Sequence, residues 1–172
     1  MAETDLTLAR RGDPAAFERL VTPHLQGLFG FLRKRLGDMA EDAYQETLLA
    51  AWQALPGFRE GATLKTWLFA IAGYKCVDCI RRNAREGNSV LLEEGLQGEG
   101  FEEGSIHRMQ VRDALDSLDG EDQALLYLVF TQGLTQKEAA GVLGIPEGTV
   151  KSRLYTLKNK LRKQLGGEGI GY

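Results

Sequence analysis

Apolar residues recur along the chain at intervals of three and four, and no stretch alternates as a half-buried strand would. The pattern predicts an all-α protein. Asp13 before Pro14 reads as a helix start, a capping side chain followed by a residue whose fixed φ suits the first turn. Phe17, Leu20 and Val21 continue the spacing as far as Pro23, which is expected to break or kink the run. Leu25, Leu28, Phe29, Leu32 and Leu36 then form a second stripe that ends at Gly37. A third helix is expected over Met39 to Leu55, with Ala43, Leu48, Leu49, Trp52 and Leu55 towards the core and Pro56-Gly57 as its stop. Thr63 caps a fourth, long helix to about Arg85, whose buried side carries Leu64, Trp67, Leu68, Ile71, Val77 and Ile80.

Residues 86–104 interrupt the pattern. They hold six Glu and five Gly with no Lys or Arg, so they are expected to form a flexible acidic linker in which only Val90, Leu91 and Leu92 could dock. Helical spacing resumes near Ile106 through Met109, Val111, Ala114, Leu115 and Leu118, and Asp119-Gly120 ends it. A further helix is expected through Ala124, Leu125, Leu128 and Val129, with Gly133 as its C-cap. The predicted organisation is two small helical domains, residues 1–85 and 105–172, joined by the linker 86–104.

Residues 134–163 carry the clearest motif. Thr135-Gln136-Lys137-Glu138 is a capping box, Ala139, Ala140 and Leu143 are residues that let helices cross closely, and Gly144-Ile145-Pro146 supplies a turn. The next helix starts near Glu147. Its Val150, Leu154, Leu157, Leu161 and Leu165 form the inner stripe, leaving Thr149, Lys151, Ser152, Arg153, Tyr155, Thr156 and Lys158 largely outward. These side chains suit base edges and phosphates, and an α-helix fits the major groove, so the unit reads as a DNA-binding helix-turn-helix. Glu147 suits phosphate least; it fits either the helix start or a cytosine amino group.

Charge sharpens this picture. The formal net charge is -3, yet residues 137–165 hold seven Lys/Arg against two acids and residues 59–85 hold six against two. Two basic patches sit on an acidic background, so the distribution of charge says more about partners than its average does. No apolar run is long enough to cross a bilayer, and the start, MAETDLTLARRGD, lacks the apolar core of a secretion signal, so a cytoplasmic location without membrane insertion is expected. Cys76 and Cys79 form a CxxC, but His24 and His107 lie far off, so the cysteines are expected to fill small apolar helix positions rather than bind metal. No glycine-rich phosphate loop or nucleophile-and-base set is present; neither an enzyme, a cofactor nor a small-molecule substrate is expected.

Three segments together resemble a bacterial sigma factor of the extracytoplasmic-function (ECF) type. Glu41-Asp42-Ala43-Tyr44-Gln45-Glu46-Thr47-Leu48 resembles the family's acidic DxxQE segment, Phe58 through Arg82 its F(R)xxxxFKTWLxxIAxNxxxDxxRR segment, and Leu134 through Leu161 its GLTxxEIAxxLGIxxGTVKSRLxRAxxxLR segment. The similarity covers roughly residues 10–165. Departures occur at Gly73-Tyr74, where the family often has Arg-Asn and where Tyr74 offers a stacking ring instead, and at Pro146, in place of a common serine cap.

The resemblance implies sigma region 2 over residues 1–85 and sigma region 4 over residues 105–172. Asp42, Gln45 and Glu46 would bind the clamp helices of core RNA polymerase. Phe58, Arg59, Glu60, Gly61, Ala62, Thr63, Leu64 and Lys65 would form the loop that captures a flipped base of the minus-10 element, with Tyr74, Lys75, Arg81, Arg82 and Arg85 beside it on the DNA. The outward residues of the last helix would read minus-35 DNA, and the acidic linker would thread towards the RNA channel. An anti-sigma factor is a further implied partner. The competing reading, an autonomous helix-turn-helix regulator, predicts tight operator binding without polymerase.

Overall fold

The computed structural model describes residues 3–59, 61–87 and 106–166. The chain divides into two compact units, Met1–Val90 and Leu91–Tyr172, and the described residues of both contain helices and turns but no strand. Val90, Leu91, Leu92 and most of the expected linker lie outside the described residues.

The first unit opens with α1 (Asp5–Arg10), capped by Thr4, and continues in α2 (Pro14–Leu36). The Asp13 carboxylate accepts from the amides of Ala15 and Ala16 at 2.9 and 3.1 Å, the cap its sequence predicts. Pro23 does not break the run: it sits inside a continuous α2. Its lost amide bond is outweighed because Val21 before it and Leu28, Phe31, Leu32 and Leu36 after it are all buried. The Thr22 hydroxyl donates to Glu18 O at 2.6 Å, a back-bond of the kind that eases a local bend.

Helix α3 (Ala40–Ala54) turns a small-residue face inward, with Ala40, Ala43, Thr47 and Ala51 buried. Leu48 and Trp52 are half-buried, and Leu49, expected in the core, is 57% exposed. Small side chains at intervals of three and four let α3 approach its neighbours closely, which leaves the larger leucines on its flanks. Thr47 is satisfied by donating to Ala43 O at 2.6 Å. A 3₁₀ turn, Leu55–Gly57, leads to the loop before α4 (Leu64–Arg85), whose cap Thr63 accepts from Thr66 N at 3.1 Å. Leu68, Phe69, Ala72, Cys76 and Cys79 are buried on α4, whereas Ile80 is exposed and Val77 half-buried. The cysteines thus take the inner positions expected for those aliphatics, and Phe31 against Phe69, ring centroids 5.8 Å apart, joins α2 to α4.

The second unit contains α5 (Ile106–Asp116), α6 (Gly120–Leu126), α7 (Gln136–Leu143) and α8 (Glu147–Gln164). Ala114 and the following Leu118 are buried, while Met109 and Leu115, expected on the same stripe, are exposed. The inner stripe of so short a helix is narrow, and Met109 falls on its opposite flank. Asp119 caps α6, accepting from Asp122 N at 2.8 Å. The helix does not run on in α form through Val129: it passes into a single π turn, Tyr127–Thr131, which leaves Leu128 buried and Phe130 exposed. Gly133 follows with φ +72°, and Leu134 N donates to Leu128 O at 2.9 Å. Among the described residues, no helix is long and apolar enough to cross a membrane.

Candidate nucleic-acid interface

The helix-turn-helix is built by local chemistry. Glu138 N donates to Thr135 Oγ1 at 3.1 Å while Thr135 N donates to the Glu138 carboxylate at 2.8 Å, closing the capping box at the start of α7. Gly144 ends α7 in the left-handed region, φ +67°, and Pro146 leads into α8 without a side-chain cap. Val150 and Leu157 seat α8 on its neighbours. Lys151, Ser152, Tyr155, Thr156 and Lys158 are exposed, with Tyr155 at 71%, whereas Thr149 and Arg153 are half-buried.

Arg153 is also engaged within the unit: its Nη1 lies 3.2 Å from a Glu121 carboxylate oxygen at the start of α6. A shallow cleft between these helices is lined by Asp119, Glu121, Asp122, Arg153 and Lys160, among others. Burial and then the neighbouring Asp119 push the Asp122 carboxyl up from its ordinary range. Glu121 had no signal in the sequence as a partner of the recognition helix, since the pairing spans 32 residues.

In the first unit, α4 presents Tyr74, Arg81 and Arg85 to solvent, with Tyr74 at 75%. Tyr74, Arg81 and Arg85 are spaced seven and four apart, so they share one face. Lys75 and Arg82 lie beside them and turn towards α3, where Glu46 accepts from Arg82 Nη2 at 2.9 and 3.2 Å and stands 3.9 Å from Lys75 Nζ. The hydrogen bond to Glu46 is the leading reason that the Arg82 guanidinium holds its proton more firmly than usual. Asp42 and Gln45 are exposed on α3, in register with the exposed Leu49. Residues assigned separately to polymerase and to DNA therefore meet at the α3–α4 seam.

The loop expected to hold a flipped base is only partly open. Arg59, Gly61 and Ala62 are exposed, Leu64 and Lys65 are half-buried, and Glu60 lies outside the described residues. Phe58 is buried: at 7% exposure its ring belongs to the core, packed at 5.0 Å from the half-buried Trp67. The sequence reading missed Arg10, which donates through Nη2 to Phe58 O and holds its guanidinium 6.0 Å from the Phe58 ring centroid. A contact across 48 residues leaves no local pattern.

Residues 20–86 match Sigma-70 region 2, and residues 108–161 match Sigma-70 region 4. Over 170 residues the chain is 32% identical to the ECF RNA polymerase sigma factor SigL of Mycobacterium tuberculosis, covering 94% of this chain and 96% of that one. SigM of the same species is 32% identical over 157 residues, 90% of this chain and 80% of the relative. Among solved structures, the sigma factor RpoE in complex with the anti-sigma factor NepR from Bartonella quintana superposes with a TM-score of 0.71 at 27% identity, covering 89% of this chain and 98% of that one. CnrH in complex with the cytosolic domain of CnrY gives 0.62 at 27% identity, covering 96% and 97%. A two-unit helical chain carrying sigma regions 2 and 4 defines a subunit that directs transcription initiation. The chain belongs to the ECF RNA polymerase sigma factors.

Proposed function

We propose that this sigma factor divides its work between its two units as follows. The α3 face formed by Asp42, Gln45 and Glu46 docks on a basic helical surface of core RNA polymerase. The arch after Phe58, together with Tyr74, Lys75, Arg81, Arg82 and Arg85, binds and opens minus-10 DNA, and α8 enters the minus-35 major groove. The observation that carries this reading is the exposed set Lys151, Ser152, Tyr155, Thr156 and Lys158 on a helix whose other side is anchored by Val150 and Leu157.

The protein performs no bond chemistry of its own in this scheme; it supplies recognition and part of the energy for strand opening. Extruding a base costs a few kcal/mol, which stacking on an exposed ring such as Tyr74 and contacts from the arch would offset. The chain acts in the cytoplasm, where polymerase is, and an anti-sigma partner is part of the proposal because the RpoE relative was solved with one. Residues 86–104 serve as the acidic linker between the two heads.

The test is run-off transcription with purified core polymerase on genomic fragments. Promoter-specific transcripts that depend on the added chain, and that disappear when Lys151 and Tyr155 are both changed to alanine, support the scheme. Tight operator binding by the chain alone, with no specific transcript, would instead favour the autonomous regulator.

A further inference from the structure

The arch before α4 has two feet, Phe58 and Thr63, fixed by different means, and Glu60 between them lies outside the described residues. At its far foot Thr63 is the cap of α4, accepting from Thr66 N at 3.1 Å. At its near foot the Phe58 ring lies in a cluster with Ala9, Ala16 and Leu55 and tilts against Trp67 at 5.0 Å. Between the feet, Arg59, Gly61 and Ala62 are exposed, and Gly61 N donates to Arg59 O at 2.8 Å.

Arg10 acts on the near foot at two points. Its Nη2 donates to the Phe58 carbonyl, and its guanidinium carbon stands 6.0 Å from the centre of the same ring. One planar group thereby fixes both the backbone and the side chain of the residue where the arch begins. The hold also leaves a cost: Arg10 Nε is buried with no hydrogen-bond partner among the described residues. An aliphatic side chain would fill the same space without an orphaned donor, so packing alone does not account for an arginine here. Arg10 ends α1 and lies outside the segment 20–86 that matches region 2.

We propose that Arg10 is a positioning residue for base capture, holding Phe58 so that Arg59, Gly61 and Ala62 keep the placement that receives an unpaired base. Arg10 itself touches no DNA. The inference rests on the reading of the arch as a minus-10 contact.

The experiment uses full-length chain assembled with core polymerase and a randomised single-stranded DNA pool, with the bound strands sequenced. Arg10→Met keeps the aliphatic stem and removes both holds. The expected result is a loss of about five-fold or more in enrichment at one position of the selected motif, with the other positions and the affinity for core polymerase within two-fold of wild type. A merely structural role would instead weaken every position and polymerase binding together, and that outcome, like an unchanged motif, overturns the proposal. Should Arg10→Met fail to fold, Arg10→Lys decides, because lysine lacks the planar fork: loss at the same position supports the proposal and an unchanged motif overturns it. An arch variant, Arg59→Ala with Ala62→Asp, separates the two claims. If it leaves the motif unchanged, the reading of the arch fails and takes the proposal with it; if it abolishes the preference while Arg10→Met does not, only the role of Arg10 fails.

Discussion

Arg82 of α4 donates to both carboxylate oxygens of Glu46 on α3, at 2.9 and 3.2 Å. The acid assigned to polymerase and a cation assigned to DNA are thus bonded to each other in the free chain. Both side chains are partly exposed, so solvent screens the pair and it adds little to the stability of the fold. Glu46→Gln is therefore expected to leave the urea midpoint nearly unchanged while weakening core-polymerase binding by about five-fold or more, equivalent to about 1 kcal/mol. Fluorescence anisotropy against core polymerase checks this, with Glu41→Gln as a control of equal charge change. Equal loss in both variants would remove Glu46 from the docking face.

Cys76 is fully buried, and desolvation pushes its thiol from 9.0 up to about 12. Well below pH 9 the thiol is protonated in folded and unfolded chains alike, so its contribution to stability is complete. As pH rises from 9 towards 12, the unfolded chain loses the proton and the folded one keeps it. Stability then falls with a slope approaching about 1.4 kcal/mol per pH unit from this group. Cys76→Ala removes that slope, so the stability gap between wild type and variant should narrow between pH 8 and 10.5 in urea titrations. A gap that stays constant would contradict the burial argument.

Gly144 is the pivot between α7 and α8, with φ +67°. A methyl group there meets no heavy atom within 4 Å, so Gly144→Ala isolates the backbone penalty of the left-handed conformation, about 1–2 kcal/mol. Thr135→Ala, which opens the capping box, should cost about 1 kcal/mol. The two sites stand at opposite ends of α7 and share no partner, so the double variant should be additive within about 0.5 kcal/mol. Denaturant melts of the three proteins test both magnitudes.

Caps, turns and the capping box were legible because each is decided by side chains within a few residues: Asp13, Thr63, Thr135 with Glu138, Gly133 and Gly144 stand where the sequence places them. Burial was less legible. Leu49 and Met109 read as core by hydrophobicity, yet alanines 40, 43 and 51 form the close face of α3, and no local rule says which of two apolar stripes a neighbour will cover. Pro23 followed the same logic in reverse, since its break depends on whether both flanking segments find a shared core. At the candidate site, residue types and helix faces were readable. The pairings Arg10 with Phe58, Arg82 with Glu46 and Arg153 with Glu121 were not, because they join positions 48, 36 and 32 residues apart.

The last of these pairings divides the recognition helix into free and engaged cations. Lys151 and Lys158 are exposed and appear in no ion pair among the described residues, whereas Arg153 is half-buried against Glu121. A lysine that meets a phosphate releases about one counterion on binding, so removing it lowers the slope of log affinity against log salt by about 1. Lys151→Ala and Lys158→Ala in the holoenzyme should each reduce that slope by about 1 on promoter duplex, across all sequences equally. Arg153→Ala should change it by less, because its charge is already shared with a carboxylate. Glu121→Gln should move the other way, freeing Arg153 and steepening the salt dependence. Equilibrium binding of holoenzyme to duplex over a range of potassium chloride concentrations measures all four slopes. A slope for Arg153→Ala that falls as far as that for Lys151→Ala would show that the Glu121 pairing does not survive on DNA.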